Sequence, residues 1–231
     1  MQDPTIKIYN ELIKLGANLV SFGDLRELPA DVRESFPIGI TVAVKYPKEV
    51  IAGIAELPTQ EYCDWYNKLN EKLDSIVTQG AEYLKSIGFN AVGQSRAKVG
   101  NGENELNTKL PHKTVATRAG VGWIGKCALL VTEQYGSMIR ISTILTDAPL
   151  RTATPINESK CGGCTACADA CPADSISGKS WEIGLYRDEF FDAVKCRAKA
   201  RERVAQSFGG DVTICGKCIE ICPYTRRATG E

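Results

Sequence analysis

The chain holds 231 residues, with 28 Lys+Arg balanced by 28 Asp+Glu, a single His and ten Cys. That length suits one ordinary domain plus a small second one, and a neutral chain has no global attraction to nucleic acid or to an anionic membrane. No run approaches the ~18 consecutive apolar residues of a membrane span, and MQDPTIKIYN at the start lacks a basic region leading into an apolar run. No secretory signal is therefore read, no membrane is expected, and the expected location is cytoplasmic.

Asp3-Pro4 predicts a helix start, because Asp caps well and Pro suits the first helical position. Ile6, Tyr9, Leu12 and Ile13 form its apolar stripe and Gly16 its stop. A short strand is expected over 18–22. The β-branched run IGITVAV (38–44), ending at Tyr46-Pro47, reads as a buried strand. Thr59 is placed to cap a long helix over 60–87, in which Tyr62, Trp65, Tyr66, Leu69, Leu73, Ile76 and Leu84 recur at helical spacing. Residues 93–111 read as a polar, irregular loop, either a surface excursion or one facing a substrate. Gly120, Gly122 and Gly125 then surround Trp123; taken alone they describe a tight turn with a buried Trp. They are not a dinucleotide fingerprint, because the strand follows them instead of preceding them. Strands over 128–132 and 138–145 come next, joined by a turn at 134–137, and 146–160 reads as a crossover. Short apolar runs alternating with helices make the chain α+β, with an α/β domain over 1–154 and a second domain over 155–231.

Eight of the ten cysteines lie in that second domain. Cys161, Cys164, Cys167 and Cys171 follow the spacing C-x2-C-x2-C-x3-C with Pro172 behind; Cys196, Cys215, Cys218 and Cys222 follow, with Pro223 behind. This is the bacterial ferredoxin arrangement, in which three thiolates of a run hold one [4Fe–4S] cluster and the fourth reaches the other. The spacing assigns Cys161, Cys164, Cys167 and Cys222 to cluster 1. Cys171, Cys196, Cys215 and Cys218 go to cluster 2, with Cys196 filling from a distance the position missing beside Cys215. Disulfides suit a secreted, loop-rich chain, and zinc sites pair their ligands as two C-x2-C groups, so iron is the better reading. Cys63 and Cys127 fall outside the pattern and read as small buried hydrophobes.

AGVGWIGK (119–126), LLV, ISTILTDAPL (141–150), CGGCTACADACPADSI (161–176) and CGKCIEICPYTRR (215–227) together resemble the epoxyqueuosine reductase family, which is related to the corrinoid-dependent reductive dehalogenases. The resemblance spans roughly residues 5–227 and is specific from about 110 onward. It implies an N-terminal cobalamin-binding-type domain of nitroreductase-like fold and a ferredoxin-like double [4Fe–4S] domain. Electrons from a reduced ferredoxin or flavodoxin-type donor would pass through the clusters to cobalamin. From there they would reach an electrophilic substrate, epoxyqueuosine in tRNA or a small molecule. The enzyme would be an oxidoreductase whose hard chemistry belongs to the cofactor. By resemblance Gly120, Gly122, Trp123, Gly125, Lys126, Ser137 and Ala198 lie beside the corrin.

The pattern also departs from that family. The family's proton-donating Asp would fall near Leu106-Asn107, leaving Glu103, Glu105 and His112 as candidates; His112 and Glu105 are taken as the catalytic pair. Cys127 stands where the family often has His or Asn, and nothing after Glu231 matches the family's C-terminal helical region, so a short member is expected. The basic run Lys195, Arg197, Lys199, Arg201 and Arg203 reads as a solvated face. The alternative function is an electron-transfer iron–sulfur protein serving a partner enzyme, without its own corrinoid; a flavin reductase ranks behind both.

Overall fold

The structure is a computed structural model and describes residues 3–99 and 106–230. In chain order its elements are α1 (Pro4–Lys14), β1 (Leu19–Asp24), β2 (Ile38–Lys45), α2 (Lys48–Ala52), α3 (Gln60–Ser86), β3 (Ala91–Gly93), α4 (Arg96–Val99) and α5 (His112–Arg118). Then come β4 (Trp123–Ile124), β5 (Leu130–Val131), β6 (Ile139–Thr146), α6 (Ala166–Asp169), a 3-10 turn at Arg187–Glu189, α7 (Ala193–Ser207), α8 (Lys217–Glu220) and α9 (Pro223–Thr229). No described helix is long and apolar enough to cross a membrane. By packing, the chain forms two compact units. One is Met1–Lys45, Leu69–Gly122 and Arg140–Ile156; the other is Tyr46–Lys68, Trp123–Ile139 and Asn157–Glu231. The sequence reading cut the chain once, after 154, whereas each compact unit is built from separated segments.

The first unit carries a four-stranded sheet of order β1-β2-β6-β3. β1 and β2 are antiparallel, in register from Leu19↔Ala43 to Asp24↔Ile38, and β3 runs antiparallel to β6 with Ala91 opposite Thr146. β2 is buried at every residue but its last, which is why IGITVAV is continuously apolar where a half-exposed strand would alternate. Leu25, Val115 and Leu145, each fully buried, anchor a core cluster against Leu28, Phe36 and Leu110. α1 begins as its sequence requires: the Asp3 carboxylate accepts from the Thr5 N–H at 2.8 Å and Pro4 follows. Thr59 Oγ1 accepts from the Tyr62 N–H at 3.1 Å and caps α3.

Two local expectations change. The polar stretch after β3 contains a helical turn, α4, and the next segment, HKTVATR, forms α5. Val115, Ala116, Thr117 and Arg118 of α5 are all buried, so tertiary packing overrides weak helix propensity there. The strand expected over 128–132 shrinks to β5 and pairs with β4, not with the strand after it. Ala128 sits in the turn with φ +60°, which takes Cys127 and Ala128 out of any strand.

Candidate double-cluster site

Within the second unit, the short elements serve to aim thiols. Cys161 opens a turn closed by the Cys164 N–H on the Cys161 carbonyl at 3.1 Å, and Cys167 follows on α6. Cys171 leaves that helix, and its Sγ lies 3.2 Å from Ser175 Oγ. Cys196 lies in the first turn of α7, capped by the Asp192 carboxylate on the Lys195 N–H at 2.9 Å. Cys218 is on α8 and packs with α6 through that helix. Cys222 is the N-cap of α9, with Pro223 at the first helical position. All eight are free thiols, half-buried.

Cys161, Cys164, Cys167 and Cys222 line one cavity of about 250 Å³, together with Cys218 and Cys127. Elsewhere in the unit, Cys171, Cys196 and Cys215 are close enough to interact electrostatically. Burial first, then Cys215 and Cys171, push the Cys196 thiol up to about 11; burial likewise raises Cys222, against the opposing amides of α9. Metal binding would release the protons of such thiols. Among the described residues no group of His, Cys, Asp and Glu is arranged around a single ion. Cysteines spread round a cavity of about 250 Å³ suit a cubane. The donor set therefore fits two [4Fe–4S] clusters.

The glycine run closes the same cavity. β4 and β5 form a hairpin, Trp123↔Val131 and Ile124↔Leu130. The Gly125 N–H donates to the Leu129 carbonyl and the Ala128 N–H to the Gly125 carbonyl, both at 2.8 Å. A Cβ on Gly125 would meet Val131 at 2.8 Å and the sulfurs of Cys127 and Cys161 at 3.6 and 3.7 Å, so glycine here is a matter of space. Lys126, only 5% exposed, turns its Nζ to the Cys164 carbonyl at 2.9 Å. Trp123 is fully buried, edge-on to Tyr224 at 4.8 Å between centroids, with the Lys160 ammonium 5.6 Å from its ring. Its Nε1 finds no partner among the described residues, nor does Ser137 Oγ. Ser137 is buried, and its N–H donates to Thr225 Oγ1 at 3.1 Å. Ala198 is exposed on α7, whose bases Lys195, Lys199 and Arg201 pair with Asp192, Glu202 and Asp211.

The remaining candidates belong to the first unit. Gly120 has φ +64°, and the carbonyl oxygen of Thr154 occupies the space of its missing Cβ at 2.7 Å; Gly122 is buried. His112 is half-buried at the start of α5, its Nδ1 3.0 Å from Thr143 Oγ1. Burial, then the nearby Arg140 charge, pull its pKa down to about 4 against an upward pull from Asp74. Near neutral pH the ring is uncharged. Glu105 and Glu103 lie outside the described residues. Sequence reasoning missed the place of Cys127 and of Ser175 and Lys160; the one available signal was that Cys127 directly follows GWIGK.

The 4Fe-4S double cluster binding domain family matches residues 160–225. An epoxyqueuosine reductase of Listeria monocytogenes is 31% identical over 165 residues, 71% of this chain and 39% of that protein. Over much of its length the chain is similar to the epoxyqueuosine reductases. One from Aliivibrio fischeri is 25% identical across 89% of this chain and 54% of its own length, so the chain spans about half the length of the curated relatives it matches. Among solved structures, the catabolic reductive dehalogenase NpRdhA superposes with a TM-score of 0.74 at 18% identity, covering 99% of this chain and 34% of that one. Epoxyqueuosine reductase from Streptococcus thermophilus gives 0.64 at 21%, covering 96% and 66%. The mixed helix-and-strand fold with a double-cluster segment at its C-terminal side is thus shared with both groups.

Proposed function

We propose that the chain is an iron–sulfur, cobalamin-dependent reductase of the epoxyqueuosine reductase kind. Cys161, Cys164, Cys167 and Cys222 hold one [4Fe–4S] cluster, and Cys171, Cys196, Cys215 and Cys218 the other. The clusters, when bound, would carry electrons from a reduced ferredoxin or flavodoxin-type donor, and a corrinoid would supply the reducing chemistry toward an electrophilic substrate. That substrate is epoxyqueuosine in tRNA or a related small molecule. The observation carrying this reading is that the hairpin of the AGVGWIGK run shares a cavity with the cysteines assigned to cluster 1. One relative has been solved with an epoxyqueuosine-modified tRNA stem loop, and a neighbouring fold with a mechanism for B12-dependent dehalogenation. Bound corrinoid would supply the low-potential chemistry.

This chain's residues would orient and shield the cofactor. The buried Ser137 hydroxyl and Trp123 N–H, unpartnered among the described residues, suit polar groups at a corrin edge. Within the second unit Gly125 and Lys126 would support the cofactor from the β4–β5 hairpin and Ala198 from α7, while Gly120 and Gly122 of the first unit are assigned to it by the resemblance alone. His112, neutral near pH 7, and Glu105 are the proposed proton donors; His112 would donate through a ring N–H. The chain's domains are assigned as 1–154 for the corrinoid side and 155–231 for the clusters.

Anaerobic reconstitution with iron and sulfide, followed by cobalamin and removal of the excess, tests the reading. About eight iron atoms, four for each cubane, and one retained cobalt per chain are expected by metal analysis and absorption spectra. Reduction of epoxyqueuosine-containing tRNA is then assayed. Eight irons with no retained cobalt would overturn the corrinoid assignment in favour of an electron carrier for a partner enzyme.

A further inference from the structure

Ten cysteines are present and the two clusters use eight. Cys63 has an ordinary explanation: it is a buried residue of α3. Cys127 does not fit that description. It is 4% exposed, held in the β4–β5 turn, and lines the same cavity as Cys161, Cys164, Cys167, Cys218 and Cys222. In that cavity its thiol is close enough to those of Cys167 and Cys218 to interact with both, one thiol assigned to each cluster. The space left by the absent Gly125 side chain separates Cys127 from Cys161 on the same wall.

We infer that Cys127 is a non-ligand thiol that donates its S–H to cluster sulfur between the two [4Fe–4S] sites and raises the reduction potential of the cluster it contacts. The inference rests on the cluster assignment above but not on the corrinoid. Its chemistry follows from proton count. Once Cys167 and Cys218 are thiolates on iron, Cys127 is the one thiol of the three still carrying a proton, so it can only be the donor. A thiolate there would add negative charge beside two anionic clusters in a buried place, which favours retention of the proton. A hydrogen bond to cluster sulfur stabilises the reduced form, in which the sulfurs carry more negative charge, and such bonds are among the factors that set cluster potentials. One electron enters the cluster on reduction, supplied by the donor protein or by dithionite, and the proton stays on Cys127.

The test is a potentiometric titration of the reconstituted protein followed by EPR, with Cys127→Ala and Cys127→Ser beside the unaltered chain. Iron content is measured on each. A neutral hydrogen bond has a net worth near 1 kcal/mol, roughly fivefold in an equilibrium. Cys127→Ala should therefore keep all its iron while the reduced-to-oxidised ratio of one cluster, at fixed potential, falls by about that factor. Cys127→Ser, whose hydroxyl still donates, should stay near the unaltered value or above it. Unchanged potentials in both variants overturn the inference and leave the clusters standing. Loss of about half the iron from Cys127→Ala, with Cys127→Ser also depleted, overturns it by making Cys127 a ligand. Failure of the unaltered chain to take up about eight irons sinks the cluster assignment itself.

Discussion

His112 shows how one residue's surroundings limit its use. Its ring sits against Thr143 while the Arg140 charge opposes protonation, and burial does the larger part. The native state therefore keeps the ring neutral where an unfolded chain would protonate it, between about pH 6.5 and about pH 4. The sign follows: the contribution of His112 to stability is full above pH 6.5 and is lost as pH falls toward 4. Because the chain has one histidine, its ring C–H resonance is unambiguous. Its NMR titration midpoint is expected near 4, and a midpoint near 6.5 would mean that the ring is solvated and free to act as an ordinary acid.

At the scale of elements, α6 and α8 have four residues each, far below the length at which a helix stands alone in water. They persist because something fixes their ends. For α8 that is Glu220, buried to 6% exposure and held by Lys217 Nζ at 2.8 Å and Arg226 at 2.7 Å, so that α8 is pinned to α9. Burial pushes the Glu220 carboxyl up, but these two cations outweigh it and hold it below the ordinary range. Glu220→Gln keeps the shape and removes the charge. It should cost about 1–2 kcal/mol, reduced from a fully buried pair because Lys217 and Arg226 still reach water. The check is urea unfolding of the iron-loaded protein; an unchanged midpoint would show the pin to be idle. In both helices the metal is the second fixture. Chelation of iron should expose the amides of α6 and α8 to hydrogen exchange, while those of β2 and β6 in the separate sheet stay protected. Equal protection before and after chelation would contradict this.

For the whole molecule, what could be read in advance was what is encoded locally. The cysteine spacing is legible because a cubane demands thiols at fixed short intervals. Asp3-Pro4, Thr59 and IGITVAV are legible because caps and buried strands act through neighbours in sequence. The role of Cys127 was not: its partners lie 40 and 91 residues away, Cys167 and Cys218, and no local pattern names them. Nor could the hairpin partner of β5 be read, since it depends on Ala128 turning to φ +60°. That residues 46–68 pack with the C-terminal third was likewise not encoded in any local pattern. Ile54 and Tyr62 lie against Gly216 there, leaving no room for a side chain, a relation between positions far apart in the chain.

That patchwork of segments has a consequence in time. The cluster-bearing unit gathers pieces beginning at Tyr46, Trp123 and Asn157, so its first piece emerges from a ribosome long before Cys222 exists. At about 5–20 residues per second, the early segment waits on the order of ten seconds or more for its partners. Through that interval Cys161, Cys164 and Cys167 are made before the thiol that completes their set. A full ligand set for that cluster therefore exists only once Cys222 has been made, and until then the three earlier thiols are open to oxidation.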